Sequence, residues 1–230
     1  MRQNQNVFWV KSGIPLRASN GVFYNNFEAS KTGNKIEEIK KEFQSEGLPF
    51  MWWATPSSRP QNLGDNLEKQ GFKLFAHQPG MALQLNDLGD KFPISKNLEI
   101  KKIENENELT DWIPVAFQSF GMDLSCKEMC RELFNNNRLD KSYFYYIGYL
   151  KGKPVTVSLL FPGAGVTGIY WVGTLADARK QGAGEAITFK ALLEAKKMGY
   201  KLATLKASGL GFPIYKKFGF MEYCKMKFYS

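Results

Sequence analysis

Apolar residues recur along this chain at two spacings, and the switches between them mark out the elements. Ile36, Ile39 and Phe43 share one helical face, with Gly47 as a stop. Phe50 to Ala54 reads as a short aromatic strand closed by the turn-rich TPSSRP of 55–60. Leu63 and Leu67 suggest a second short helix ended by Gly71, and 72–75 and 81–85 read as two strands. The polar run NDLGDKFPISKN, 86–97, predicts a boundary, so the expected domains are 1–95 and 96–230.

The second part opens on a strand over Leu98–Ile103, then a helix around Glu106–Phe120 in which Pro114 marks a break or first-turn position. GMDLSCKEMCRELF is a loop followed by a helix, and YFYYIGYLKGKPVTVSLLF is a hairpin through Lys151-Gly152-Lys153. A strand over Ile169–Thr174 leads to a helix from about Ala183 to Met198, with Ile187, Ala191, Ala195 and Met198 on one stripe and Gly199 as its stop. Leu202–Lys206 is a strand, a short helix ends at Phe218, and a final strand covers 220–229. LEKQGFKLF (67–75) and YKKFGFMEY (215–223) align without gaps, which points to a decayed duplication or to a shared helix-to-strand corner.

Charge changes the picture only locally. The chain carries +9 overall, and eleven Lys/Arg against three acids place +8 of it in residues 179–230. Such a field favours a polyanionic partner, whether a phosphorylated cofactor, a nucleic acid or an anionic membrane surface. A 43% hydrophobic, 14% aromatic composition excludes a disordered chain. The only apolar run in the first twenty residues is Val7–Val10, so a signal peptide is not expected and a cytoplasmic location is the default. Cys126, Cys130 and Cys224 read as reduced thiols, and with a single histidine, His77, far from them in sequence no metal site is expected.

The stretch WVGTLADARKQGAGEAI, 171–187, turns basic and glycine-rich just where a helix begins. A helix N-terminus leaves amide N–H groups unpaired at the positive end of its dipole. Gly182 and Gly184 let an anion approach the backbone, and Arg179 and Lys180 add charge, which together make a cradle for a diphosphate. No Gly-Lys-Ser/Thr follows, and a third glycine of the dinucleotide fingerprint is missing.

Arg179-x-x-Gly182-x-Gly184, after a strand and opening a helix, resembles the acyl-CoA signature of the GNAT superfamily of N-acetyltransferases. The resemblance runs over 168–220 and includes Leu-Lys-Ala-Ser at 205–208 and Ile-Tyr-Lys-Lys-Phe-Gly-Phe at 214–220; residues 1–95 share it only through the echo. It implies an α+β fold with a mixed, mostly antiparallel sheet flanked by helices and splayed between the 169–174 and 202–206 strands, preceded by a smaller degenerate GNAT-like domain. It further implies acetyl-CoA as cofactor, with Val172, Gly173 and Thr174 along the pantetheine arm. Arg179, Lys180, Gln181, Gly182, Ala183, Gly184 and Glu185 would lie around the diphosphate, with Ser208 nearby. Tyr215 matches the position of a general acid, whose phenol stays protonated at neutral pH.

The activity so implied is acetyl transfer to an amine of a small molecule or peptide by direct attack, without an acyl-enzyme. A non-catalytic acyl-CoA-binding regulatory module is the alternative, and nucleic-acid binding a third class that leaves the glycine signature unexplained. No nucleic-acid or membrane partner is expected, and monomer or homodimer is open. The strand before the signature carries no carboxylate, so the base is open between Asp123, a water chain and an already neutral amine. Glu185 reads as a dipole partner for the helix.

Overall fold

The computed structural model describes residues 2–89, 91–92, 97–139 and 142–230. They form two compact units, one of 1–80 with 223–230 and one of 81–222. The expected 95/96 boundary lies outside the described residues. The final strand is what makes the first unit discontinuous.

In the first unit the strands are β1 (Arg2–Asn4), β2 (Val7–Val10), β3 (Gly21–Asn25) and β4 (Met51–Ala54), with helices α1 (Thr32–Gln44) and α2 (Leu63–Lys69). The strand β5 (Leu74–Gln84) begins in this unit. β1, β2 and β3 form antiparallel hairpins, and β3 runs parallel to β4 through Gly21↔Met51 and Val22↔Trp52. α1 makes the crossover between them, as a parallel pair requires. The last strand, β11 (Met221–Tyr229), pairs antiparallel with β4 through Lys227↔Ala54, Phe228↔Trp53 and Tyr229↔Trp52. Ile36, Ile39 and Phe43 do fall on the buried face of α1, packed with Trp52, Leu63, Leu67 and Tyr229.

Beyond Val22 the β3–β4 pair is closed by main chain. Arg59 N–H donates to Asn25 O (3.0 Å), Phe27 N–H to Arg59 O (3.0 Å) and Asn25 Nδ2 to the same carbonyl (2.7 Å). Trp52 Nε1 holds Asn25 Oδ1 at 3.2 Å, so the segment 55–60 fills the space where two diverging parallel strands would part.

The second unit contains β6 (Leu98–Lys102), α3 (Glu106–Ser119), α4 (Lys127–Leu139), β7 (Phe144–Leu150), β8 (Lys153–Gly163), β9 (Val166–Thr174), α5 (Ala183–Lys197), β10 (Leu202–Lys206) and α6 (Phe212–Lys217). β6 to β9 are antiparallel neighbours and β9 runs parallel to β10. The β7–β8 hairpin turns at Lys151 and Gly152, both with positive φ, the two-residue geometry that matches strand twist. α5 buries Ile187, Ala191, Leu192 and Ala195 against Leu160, Ile169, Ala203 and Leu205. Each of the isoleucines and leucines among them contributes about 1.5–3 kcal/mol on burial. α3 covers the opposite face, where Trp112 meets Tyr145 edge-on at 5.2 Å and donates Nε1 to Tyr146 O at 3.1 Å.

Both units therefore repeat one order: hairpin strands, a parallel step across a helix, a short helix, then a strand. The 67–75 and 215–223 echo maps onto the last corner of each, with Gly71 at φ +85° and Gly219 at φ +93°.

Several expectations are corrected. β5 is one strand of 11 residues, not two, because the chain stays extended through Pro79-Gly80. α3 runs unbroken past Pro114; the carbonyl that loses its partner belongs to exposed Thr110 and faces water. Met198 is 40% exposed, outside the buried stripe of α5.

Candidate functional site

The site grows from the end of β9. Its register with β10 comprises Ala203↔Thr167 and Thr204↔Gly168, while β9 continues to Thr174. The two parallel strands thus part after Gly168, where the resemblance placed the splay. On the other side, Val157 faces Gly173 and Leu159 faces Tyr170, so Ser158 alone opposes Trp171 and Val172. This is a bulge, and Trp171 at φ +51° carries it. A left-handed conformation at a bulky residue is strained, and surrounding packing must hold it. Trp112, Phe120 and Phe134 do so, with ring centroids 5.5–6.0 Å from Trp171. The bulge gives Trp171 and Val172 a single opposite residue on β8, one residue too many for the ladder, just beyond the Thr204↔Gly168 pair with β10.

Gly173 lies under the end of α3. A Cβ there would sit 2.7 Å from Ser119 Cβ and 3.1 Å from its Oγ, so no larger residue fits. Thr156 Oγ1 donates to Gly173 O at 2.8 Å and so receives the proton of Thr174 Oγ1, 2.9 Å away. Arg179 Nε donates to Thr174 O at 3.1 Å, and its Nη2 to Ser119 O at 3.4 Å. Two of its five donors thus brace the strand end to α3, a use its place in the signature does not reveal.

The turn into α5 is exposed from Arg179 to Gly182. Lys180 has φ +59° and Gly182, the N-cap of α5, φ +80°, the backbone alternation that turns successive N–H groups into one concavity. No side chain caps the helix, and among the described residues the amides of Gln181 to Glu185 make no hydrogen bond. Gln181 Nε2 donates to Asp177 O at 3.0 Å, and Ala183 is buried with Ala178, Ala186 and Val155 beneath the turn. A Cβ on Gly184 would stand 3.1 Å from Thr174 Oγ1 and 3.8 Å from Ile214 Cδ1. The end of β9, the start of α5 and α6 therefore converge on this glycine. Glu185 accepts from Lys217 of α6 at 2.8 Å, tying the same elements together as well as facing the dipole.

Tyr215 is the buried residue of α6, 6% exposed, with its ring over Gly211 and edge-on to Phe220 at 5.8 Å. Burial pushes its phenol up to about 12. Its hydroxyl makes no hydrogen bond among the described residues. Ser208 is exposed beyond β10, and its Oγ accepts from Gly211 N–H at 3.1 Å, so it shapes the loop that enters α6.

Other candidates have structural work. Asp123 accepts from Ser125 N–H (2.9 Å) and Oγ (2.8 Å), and these bonds hold its carboxyl below the usual range, which weakens it as a proton acceptor. Cys130 is buried, and burial raises its thiol to about 11. Among the described residues no group of three or more His, Cys, Asp or Glu could hold a metal, and no helix is long and apolar enough to cross a membrane. The sequence reading missed the bulge. It depends on which β8 residue faces β9 and leaves no signal in the strand's own residues.

No protein-family model and no curated protein matches the sequence. Solved structures do match. The chain is similar to a GCN5-related N-acetyltransferase from Kribbella flavida (TM-score 0.72, 18% identity, 98% of this chain and 89% of that one). It is similar to another from Sphaerobacter thermophilus (TM-score 0.68, 15% identity, 97% and 75%). A tandem GNAT protein from the clavulanic acid biosynthesis pathway superposes with TM-score 0.60 at 11% identity over 91% of this chain and 74% of that one. The splayed parallel pair, the glycine turn and the repeated strand order have the same explanation: this chain has the fold of the GCN5-related N-acetyltransferases, with two GNAT-like halves.

Proposed function

We propose that the second unit binds acetyl-CoA and transfers its acetyl group to an amine of a small molecule or peptide by direct attack. The observation that carries the reading is the convergence, at Gly184, of unbonded amides, the open end of β9 and the helix that bears Tyr215. The residues fit the group. Five consecutive amides at a helix N-terminus suit a diphosphate, and exposed Lys180 adds charge beside them. Gly173 leaves the strand edge flat, and Val172 to Thr174 lie where the pantetheine arm would run, with Ser208 and α6 across the gap.

Acetyl-CoA supplies an activated acyl thioester. The bulge at Trp171–Val172 carries one residue too many for the β8 ladder, and a main-chain N–H turned into the gap there would polarise a carbonyl oxygen. Tyr215 keeps its proton across the physiological range. A phenol at about 12 facing a thiolate near its ordinary value of about 8.5 would give up that proton only against roughly 5 kcal/mol. Tyr215 therefore donates a hydrogen bond to the departing sulfur, and the attacking amine is the net source of the proton. A hydrogen bond to a charged group contributes about 1.5–3 kcal/mol, so Tyr215→Phe lowers turnover roughly 10- to 100-fold.

Calorimetric titration with CoA and acetyl-CoA, then an amine panel followed by thiol release, tests the reading. Tyr215→Phe that binds acetyl-CoA like the parent but turns over more slowly supports it. A parent that binds neither thioester nor thiol overturns it, and a parent that binds but releases no thiol with any amine leaves only the binding module.

A further inference from the structure

The inner end of the gap, where β9 and β10 begin to part, carries a lysine that neither the signature nor Tyr215 requires. Ala203, Leu205 and Ala207 pack into the core beneath α5, so strand alternation turns Thr204 and Lys206 to the opposite face, the one that carries α3. The parallel register ends at Thr204↔Gly168. Two residues further on, Lys206 stands across the splay from Tyr170, and Tyr170 shares a face with Gly168, whose added Cβ would strike its ring. Tyr143, just before β7, and Phe161 of β8 stack at 4.8 Å. Lys206 is half-buried, and burial lowers its pKa, so more of its amine is uncharged at neutral pH than on an exposed lysine. An acyl chain entering along 174–172 reaches the bulge next to this residue.

We propose that Lys206 is a self-acetylation site, taking the acetyl group of bound acetyl-CoA when no acceptor is present. This rests on the acetyl-CoA reading above. The Nζ lone pair forms a bond to the carbonyl carbon, the carbon–sulfur bond breaks with its electron pair on sulfur, and the proton lost by the amine ends on the CoA thiol. The product is a neutral amide on the acceptor-facing side of β10. It removes a cation there and occupies the space an incoming amine needs, so the modification blocks further transfer.

The test uses the full chain with acetyl-CoA and no amine, peptide mapping by mass spectrometry, and a parallel calorimetric titration. The expected result is one acetyl group on Lys206 that accumulates at least tenfold faster than on exposed Lys180, Lys201 and Lys216, and is lost when the chain is unfolded in urea. Lys206→Arg should remove that adduct and keep acetyl-CoA affinity. Saturating binding with Lys206 unmodified, or labelling no faster than at the exposed lysines, overturns the self-acetylation alone. Absence of binding in the calorimeter overturns it together with the proposed function.

Discussion

Replacing Gly173 by alanine tests how the strand edge at the site is built. The new methyl would sit 2.7 Å from Ser119 Cβ and 3.4 Å from Phe120 Cε2, against an optimal carbon–carbon contact of about 3.5–4.0 Å. The end of α3 must withdraw by about 1 Å, which also stretches the Arg179–Ser119 bond, already at 3.4 Å. Overpacking of this kind costs about 1–3 kcal/mol, a fall in Tm of roughly 2–12 °C for a domain of this size. Ser119→Gly deletes both of the nearest atoms. Alone it costs about 1 kcal/mol at most as a glycine near a helix end. The double variant should therefore lose less than the two singles together, with a coupling of about 0.5–3 kcal/mol. Thermal and urea unfolding of the four proteins in the cycle read this directly. A Gly173→Ala protein as stable as the parent, or strictly additive losses in the double variant, would refute the close-approach argument.

Further outcomes follow from the same geometry. In native protein at pH 8, Cys126 and Cys224 should alkylate well before Cys130, whose buried thiol near 11 leaves about one thiolate in a thousand; equal labelling by mass spectrometry would count against its burial. Tyr215 keeps its proton in the folded form up to about 12 while the unfolded chain releases it near 10, so its share of stability is intact below pH 10 and is lost as pH rises through 10–12. Urea midpoints at pH 9 and 11 should then fall less for Tyr215→Phe than for the parent, and an unchanged slope would contradict the burial shift. Calorimetry should give one acetyl-CoA per chain, since Arg59 closes the β3–β4 gap of the first unit with main-chain bonds; a stoichiometry of two would show that the segment 55–60 moves aside.

Local chemistry made much of this legible in the sequence. The helix α5, its glycine stop, the hairpin at Lys151-Gly152 and the basic turn each depend on residues within a few positions of one another. What stayed hidden depends on partners. The Trp171 bulge exists because Ser158 on β8 faces two residues, and the strand's own sequence does not say which residue its neighbour will face. His77-Gln78-Pro79-Gly80 has the composition of a turn, and only its setting keeps it extended. Arg179 looked like a ligand for phosphate because charge can be read from sequence, whereas the carbonyls of Thr174 and Ser119 that engage it come together only on folding. Asp123 looked like a free carboxylate until the Ser125 hydroxyl and amide were seen to cap it.

The return of residues 223–230 to β4 sets an order of events during synthesis. Residues 1–80 leave the ribosome first, yet their sheet lacks the strand that carries Phe228 and Tyr229 until 142 intervening residues have been made. Residues 81–222 hold a core of their own, so the later-made unit can complete itself while the earlier one waits with an open β4 edge. Exposed strand edges recruit other chains, and the nascent protein should be most vulnerable to misassociation in this interval.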